Sequence, residues 1–121
     1  MRGDSVVRDK LQELISQGHS LSLCEPIAME LLSGSKHHNQ AEVSSIVNGL
    51  PALPLDPNTG FRQAGNLYRR MRASGITVRS LMDCLIAVVA QNHQDVILLH
   101  DDSDYEKIAG FTDLQVQRIT K

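Results

Sequence analysis

A chain of 121 residues, of which 41% are hydrophobic and 21% charged, has the balance of one soluble globular domain. Aromatic residues make up only 3% and tryptophan is absent, so the core must be aliphatic and a base-stacking platform for single strands is excluded. The net charge of -2 argues against a strongly basic nucleic-acid-binding surface, so any RNA contact would have to come from a local basic patch or from metal ions.

The amino-terminal half is predicted to alternate helices with short extended segments. Apolar residues at helical spacing predict a first helix that ends at Gly18. Residues 21–24 form an apolar run that is typical of a strand. Pro26 suits the first turn of a second helix, which Gly34 closes, and a short helix is predicted through residues 43–47.

The carboxyl-terminal half continues the alternation. Residues 50–55 contain two prolines, which push their predecessors out of the helical region and predict an extended edge strand. A long helix is predicted from Phe61 to Gly75, and Thr77 is a good cap for the next helix, over residues 81–89. The last elements are a strand, a short helix and a strand, at residues 96–99, 105–109 and 116–119.

The strand of residues 96–99 is continuous and apolar, as in a parallel sheet that is buried on both faces. Strands that alternate with helices predict an α/β fold, here a three-layer domain with a mainly parallel sheet. In such sheets the functional crevice lies outside the carboxyl ends of the strands. Residues at that edge are therefore the first candidates for chemistry.

Three aspartates follow that strand directly: Asp101, Asp102 and Asp104. Like charges clustered in this way are costly unless a cation or a proton compensates them. The alternative is a solvated turn in which an Asp caps the next helix. Taken alone, this segment leaves both interpretations open.

Asp83 interrupts an otherwise apolar helix that is expected to be buried all round. A carboxylate there must be paired, hydrogen-bonded or bound to a metal, because an isolated buried carboxylate costs several kcal/mol. The alternative partner is Arg79, four residues earlier, although that orientation is the weaker one for a helical ion pair.

Glu30 adds an acidic position on a third element. It lies about a turn beyond the strand of residues 21–24, at a second carboxyl edge, whereas Glu25 lies nearer the helix start, where it suits the dipole. Considered singly, each is typical of an ordinary surface acid. Together, acids on three elements that face one edge predict a hard-cation site for Mg²⁺ or Mn²⁺. Such a site favours phosphoryl chemistry, because the metal lowers the pKa of a bound water and offsets charge on phosphate oxygens.

Arginines concentrate in the segment that leads to Asp83. Arg62 and Arg69 share a helix face, with Arg72 beside it, and this face could grip an RNA backbone or an acidic partner segment. We take Arg69, Arg72 and Arg79 as candidate substrate-binding residues. The alternative is an exposed face that balances acids elsewhere, and the sequence favours neither.

The cysteines and histidines predict no zinc site. Cys24 and Cys84 match no zinc spacing and lie in apolar runs, so two reduced, buried thiols are expected. His37 and His38 belong to a polar loop without partner spacing for zinc. His100 neighbours the aspartates and could touch substrate, but a His that ends a strand is usually structural.

The chain is expected to be soluble and cytoplasmic, without a membrane partner. No apolar run approaches the roughly 20 residues that a membrane helix needs. Residues 1–5 are polar and do not resemble a signal peptide. No serine-hydrolase or P-loop motif is present, so those chemistries have no support.

Four segments occur in the order of one known family. Residues 24–34 look like its strand-to-helix segment, and residues 64–77 like its middle helix and turn. The run Asp-Cys-Leu-Ile-Ala at residues 83–87 resembles its D-x-x-I-A signature. Residues 100–105 resemble its D-x-D-F segment, with Tyr105 in place of Phe. The chain thus resembles the PIN-domain ribonucleases of the VapC toxin type.

This resemblance covers residues 6–119 and implies roles for the acids. Glu30, Asp83 and Asp102 would be three members of the family's acidic quartet and would hold Mg²⁺ or Mn²⁺, with Asp104 assisting in catalysis. The implied activity is that of a metal-dependent endoribonuclease that leaves a 5′-phosphate. The implied biology is a toxin that a cognate VapB-type antitoxin holds, often as a homodimer.

The chain departs from the family at its amino terminus. Family members begin with an apolar strand that carries an Asp followed by Thr or Ser, whereas here no apolar residues precede Asp4 and Ser5. We therefore expect a single PIN-like domain, residues 1–121, that is N-terminally incomplete. It would lack the first, central strand of the sheet and one metal ligand.

Three interpretations stay open. The first is an active ribonuclease whose start lies upstream or whose missing strand another chain supplies. The second is a truncated, non-catalytic PIN remnant that binds an antitoxin or a dimer partner. The in-frame DNA upstream of Met1 separates these two. The third, a phosphorylatable receiver-like domain, ranks last because Asp83 lies on a predicted helix rather than at a strand end.

Overall fold

A computed structural model describes residues 9, 10 and 12–119 of the chain. Residues 12–16 are helical. The predicted stop at Gly18 is confirmed, because its φ of 92° lies in the left-handed region that favours glycine. The elements that follow are α1 (Glu25–Gly34), α2 (Gln40–Gly49), α3 (Gly60–Ala73), α4 (Leu81–Gln91), β1 (Leu98–His100), α5 (Ser103–Phe111) and β2 (Val116–Arg118).

Parallel pairing within residues 12–119 consists of one two-stranded sheet and one isolated bridge. β1 pairs with β2 in parallel, with Leu98 opposite Val116, and Leu23 forms a separate parallel bridge with Ala52. The predicted mixed α/β fold with parallel strands is confirmed. The predicted edge strand of residues 50–55 is reduced to this one bridge, because its prolines remove backbone N–H donors. The expectation about a first strand concerns residues that lie outside the described part of the chain.

Helix α4 is the centre of the core. Its residues 84–90 are all buried, as the continuous apolar run predicts. Helix α3 packs against it through Ala64, Leu67 and Met71, whose spacing of three and four residues places them on one face. The core is aliphatic, as the composition predicts. Buried packing of this kind fixes where the first turn of α4 lies, and that turn carries Asp83.

The start of α4 differs from the prediction. The N-cap is Ser80 rather than Thr77, and the Ser80 side chain accepts a hydrogen bond of 3.1 Å from the backbone N–H of Met82. Ser80 has an extended backbone, with φ -135° and ψ 128°. Arg79 therefore precedes the helix, so the helical spacing that would pair it with Asp83 does not apply.

The segment after β1 forms a helix that is longer than predicted, from Ser103 to Phe111. The strand itself lies one to two residues later than the apolar run suggested, because its pairing ends at His100. The aspartates therefore follow the strand immediately and begin the next helix. None of the helices in the described part has the length and apolar character that a bilayer span requires.

Candidate metal centre

Two helix amino termini carry three aspartates near the carboxyl end of β1. Asp83 lies in the first turn of α4. Asp102 is the N-cap of α5, where its Oδ1 accepts a hydrogen bond of 2.9 Å from the backbone N–H of Asp104. Acids are favoured at both positions, because a helix begins with unpaired N–H groups and the positive end of its dipole. The interpretation in which an Asp of this segment caps a helix is confirmed for Asp102.

The same three aspartates also form a cluster. One carboxylate oxygen from each of Asp83, Asp102 and Asp104 lies within 4.8 Å of the others. Asp102 therefore both caps α5 and belongs to the cluster. Carboxylate oxygens at this spacing are the ligands that Mg²⁺ and Mn²⁺ prefer. The donor set therefore fits a hard divalent cation.

Asp83 accepts a hydrogen bond from Tyr105, the tyrosine that stands where the family pattern has Phe. The Tyr105 hydroxyl donates a hydrogen bond of 3.1 Å to Asp83 Oδ1. Burial raises the pKa of Asp83, the Tyr105 hydrogen bond opposes that rise, and the nearby charges of Asp102 and Asp104 add to it. The three carboxylates therefore repel one another, and a positive charge at this place offsets that repulsion.

Arg79 contacts two of the three aspartates, but not Asp83. Its Nη2 lies 2.5 Å from Asp102 Oδ1 and its Nε lies 3.0 Å from Asp104 Oδ2. The alternative of a helical ion pair between Arg79 and Asp83 is therefore wrong, because Arg79 lies before the helix and its side chain reaches towards α5. As a candidate substrate-binding residue, Arg79 points into the acidic cluster.

Asp104 is the buried member of the cluster, only 1% exposed. Its Oδ2 accepts hydrogen bonds from both the backbone N–H and the side chain of Arg79, at 2.9 Å and 3.0 Å. Lys107 Nζ lies 3.4 Å from its Oδ1. The backbone hydrogen bond from Arg79 is the main cause that lowers the pKa of Asp104, against the opposing effect of burial. Asp104 therefore fastens the segment before α4 to helix α5.

His100 is structural, as the sequence analysis favoured. It is 5% exposed, and its Nδ1 accepts a hydrogen bond of 3.1 Å from the backbone N–H of Asp102. Its Nε2 lies 3.0 Å from Glu106 Oε1. Since Nδ1 acts as an acceptor, Nε2 carries the hydrogen and donates a hydrogen bond to this carboxylate. His100 thus fixes the turn that presents Asp102.

Glu30, the acid predicted from the second helix, lies apart from this cluster. It is exposed on α1 and is not among the carboxylates that lie within 4.8 Å of one another in the described part. Its charge contributes to the raised pKa of Tyr105, after burial and Asp83, so it lies within electrostatic range of that hydroxyl. Its role as a metal ligand stays a prediction.

The two cysteines are buried and free, as predicted. Burial raises the pKa of the Cys84 thiol to about 11, and the charge of Asp83 adds to the rise. Cys24, the N-cap of α1, has a pKa that burial also raises. Both side chains therefore belong to the core and add no ligand or nucleophile to the cluster.

Arg69 and Arg72 lie on the exposed face of α3 and contact neighbours on the same helix. Arg69 Nη2 donates a hydrogen bond of 3.0 Å to Asn66 Oδ1. The Arg72 guanidinium lies 5.5 Å from the ring centre of Tyr68. Both positive charges face solvent, as either interpretation of the arginine segment requires.

A concave region of about 700 Å³ lies at the other end of α4. Its lining includes Arg70, Asn92 and His93, together with the acids Asp95 and Asp113. The three aspartates of the cluster are not part of this lining. We therefore assign the candidate chemistry to the acidic cluster, where carboxylates converge, rather than to this concave region.

This chain is similar to known proteins in both sequence and fold. The PIN domain family matches residues 3–111. VapC ribonuclease Mb1587 of Mycobacterium bovis and Ribonuclease VapC11 of Mycobacterium tuberculosis are each 42% identical to it over 113 residues, which are 92% of this chain and 84% of each relative. This chain belongs to the VapC family of PIN-domain proteins. The predicted family is thereby confirmed, and it is one whose relatives are named ribonucleases.

The fold of this VapC-family chain is also that of a solved structure. The crystal structure of a member of the VapBC family of toxin–antitoxin systems, VapBC-5 from Mycobacterium tuberculosis, superposes with a TM-score of 0.61. The match covers 81% of each chain at 21% identity. At that identity the likeness shows the fold alone, and it confirms the predicted PIN-like fold class.

Proposed function

We propose that this chain is the toxin component of a VapBC-type module and acts as a Mg²⁺- or Mn²⁺-dependent endoribonuclease. The observation that carries the proposal is the convergence of Asp83, Asp102 and Asp104 within 4.8 Å, in a family whose relatives are named ribonucleases. Hydrolysis of the phosphodiester would leave a 5′-phosphate. Residues 1–121 would belong to one PIN domain, which would act in the cytoplasm, where RNA is found.

The carboxylates divide into ligands and supports. We assign Asp83 and Asp102 as direct ligands, with Glu30 on α1 as a further ligand, and Asp104 as the residue that assists them. When bound, a divalent cation would lower the pKa of an attacking water and offset charge on the phosphate. Tyr105 fixes the orientation of Asp83, and the amino termini of α4 and α5 favour negative charge at this place.

RNA would reach the cluster along the arginine face of α3. A chain of net charge -2 needs a local basic patch for phosphate contacts, and exposed Arg69 and Arg72 supply it. Such contacts would position the RNA backbone without reading its sequence. Arg79 is assigned to the same role, in addition to its contacts with Asp102 and Asp104.

Exposed apolar side chains support a protein partner. Met29, Leu31 and Leu32 on α1 and Ile46 on α2 are between 43% and 52% exposed. These neighbouring helices pack on one another, so their apolar side chains lie in one region of the surface, as interaction surfaces often do. We assign this region to contacts with a VapB-type antitoxin and with a second copy of the chain.

Cleavage of RNA by the purified chain tests the proposal. We expect an RNA oligonucleotide to be cut in Mn²⁺ or Mg²⁺, with no cleavage after chelation by EDTA and recovery when the ion is restored. Fragments should accept a ligase that requires a 5′-phosphate. A chain that binds a VapB-type antitoxin but cuts no RNA in either ion would favour the non-catalytic remnant instead.

Tyr105 offers a finer test of the metal site. Tyr105→Phe removes only the hydroxyl that holds Asp83, so we expect Mn²⁺ binding to weaken about fivefold, as for the loss of one partly solvated hydrogen bond to a charged group. Isothermal titration calorimetry measures the change. Tyr68→Phe is the matched control, since it removes the hydroxyl of the other tyrosine, on α3. Equal Mn²⁺ affinities of Tyr105→Phe and Tyr68→Phe would show that the Tyr105 hydroxyl does not position Asp83.

A further inference from the structure

Arg79 contacts two of the carboxylates whose charge a cation would neutralise. Its Nη2 contacts Asp102 Oδ1 and its Nε contacts Asp104 Oδ2, so one guanidinium bridges two of the three clustered carboxylates. The bridge brings one positive charge into a group of acids that is costly without compensation. A guanidinium and a divalent cation are therefore alternative ways of neutralising the same carboxylates.

The contact is also built so that it can open. The side chain of Arg79 is 72% exposed, whereas that of Asp104 is 2% exposed. Turning the side chain into water costs little packing, because most of its surface already faces solvent. Asp104 would stay in place, because the backbone N–H of Arg79 donates to its Oδ2 at 2.9 Å and Lys107 lies beside its Oδ1.

We infer that Arg79 is an internal competitor of the divalent cation: its guanidinium neutralises the metal-free cluster and moves away from it when the positive ion binds to Asp83 and Asp102. The inference rests on the proposed metal site and adds a way in which Arg79 controls ion binding there. The competition lowers the affinity for the ion, so that the site fills only when the ion is abundant enough to displace the side chain. The displaced guanidinium then faces solvent beside the cluster, where an RNA phosphate would approach.

Removing the guanidinium tests the competition. Arg79→Gln keeps the backbone N–H that anchors Asp104 but removes the positive charge, so we expect Mn²⁺ to bind about tenfold more tightly than to the wild-type chain. Calorimetric titration of the EDTA-treated proteins measures both affinities. The matched control is Arg118→Gln, which removes the same charge. Arg118 Nε lies 3.8 Å from Oδ1 of Asp101, which is outside the cluster. Arg118→Gln should leave the Mn²⁺ affinity within about twofold of wild type. The charge of Arg118 lies outside the cluster and solvent screens it.

A second measurement uses the unaltered chain and does not depend on how the variant folds. The side-chain Nε–H signal of Arg79 in ¹⁵N-labelled protein should shift towards that of a solvated arginine as Mg²⁺ is added, while the signals of Arg69 and Arg72 stay in place. An Arg79 signal that is unmoved at saturating Mg²⁺ would overturn the inference.

The two hypotheses fail in different ways. If the wild-type chain binds Mn²⁺ and Arg79→Gln binds it equally or more weakly, the competition is refuted and the metal site stands. If neither chain binds Mn²⁺, the proposed metal-dependent function fails, and the inference fails with it. Binding by Arg79→Gln alone would support the competition in its strongest form.

Discussion

Replacing Asp83 with Asn is expected to reduce Mn²⁺-dependent RNA cleavage by about a thousandfold or more while the chain stays folded. Asn has nearly the shape of Asp and its carbonyl can still accept the hydrogen bond from Tyr105. The substitution therefore removes the charge that attracts a cation and leaves the packing. Rates of cleavage of a labelled RNA at saturating Mn²⁺ measure the loss.

The stability of the Asp83→Asn variant separates a functional loss from a folding defect. Burial and two neighbouring aspartates raise the pKa of Asp83, so its charged form is disfavoured in the metal-free fold. A neutral Asn should therefore leave the unfolding midpoint without Mn²⁺ unchanged or slightly higher, and the stabilisation that Mn²⁺ gives the wild type should disappear.

An exposed aspartate supplies the control. Asp113→Asn changes an exposed acid between α5 and β2 and removes the same charge from the chain. We expect it to cut RNA at close to the wild-type rate. Undiminished cleavage by Asp83→Asn would contradict the assignment of the acidic cluster as the active centre.

The places of Asp83 and Asp102 in the cluster could be predicted because Asp83 lies inside an apolar run and Asp102 follows one closely. A carboxylate inside an apolar helical run needs compensation, and an acid that directly follows a buried strand lies at the edge where parallel sheets place their chemistry. Both arguments depend on local patterns, which survive small errors in the predicted boundaries. The strand ends at His100 instead of residue 99, and the acids still follow it.

The role of Arg79 could not be predicted because it depends on where α4 begins. With Thr77 as the cap, Arg79 belongs to the helix and faces Asp83 one turn later. With Ser80 as the cap, it lies outside the helix and reaches residues 23 and 25 positions further along the chain. Two hydroxyl residues three positions apart are both acceptable caps, and tertiary contacts with Asp104 decide between them.

Tyr105 shows how a departure from a family pattern carries information. Tyr105 stands where the family's D-x-D-F segment has Phe, and its extra hydroxyl is the group that reaches Asp83. The sequence alone showed the added polar atom but not its partner, because α4 and α5 meet only in the folded chain. The position of Glu30 relative to the cluster depends in the same way on how α1 packs.

Replacing Asp104 with Ala is expected to lower the free energy of unfolding by about 2–4 kcal/mol. The substitution removes a buried acceptor and leaves the backbone N–H of Arg79 without the carboxylate that it now bonds. The Arg79 side chain can turn into water, which keeps the loss below that of a fully buried ion pair. Urea unfolding in EDTA measures the change, and Asp102→Ala is the comparison.

Asp102→Ala should cost less, about 1 kcal/mol, because it removes an N-cap from a partly exposed position. A loss for Asp104→Ala no larger than this would show that Asp104 does not fasten α5 to the segment before α4.

The effect of Asp104 should also depend on pH in a defined direction. Its pKa in the fold is lowered from the ordinary value of 3.8, so its stabilisation is complete above that value and is lost as the pH falls towards the lowered pKa. The difference in unfolding free energy between wild type and Asp104→Ala should therefore shrink as the solution is acidified below pH 3.8. A difference that stays constant through this range would mean that the lost stability comes from packing, whereas a shrinking one ties it to the carboxylate charge that Arg79 and Lys107 compensate.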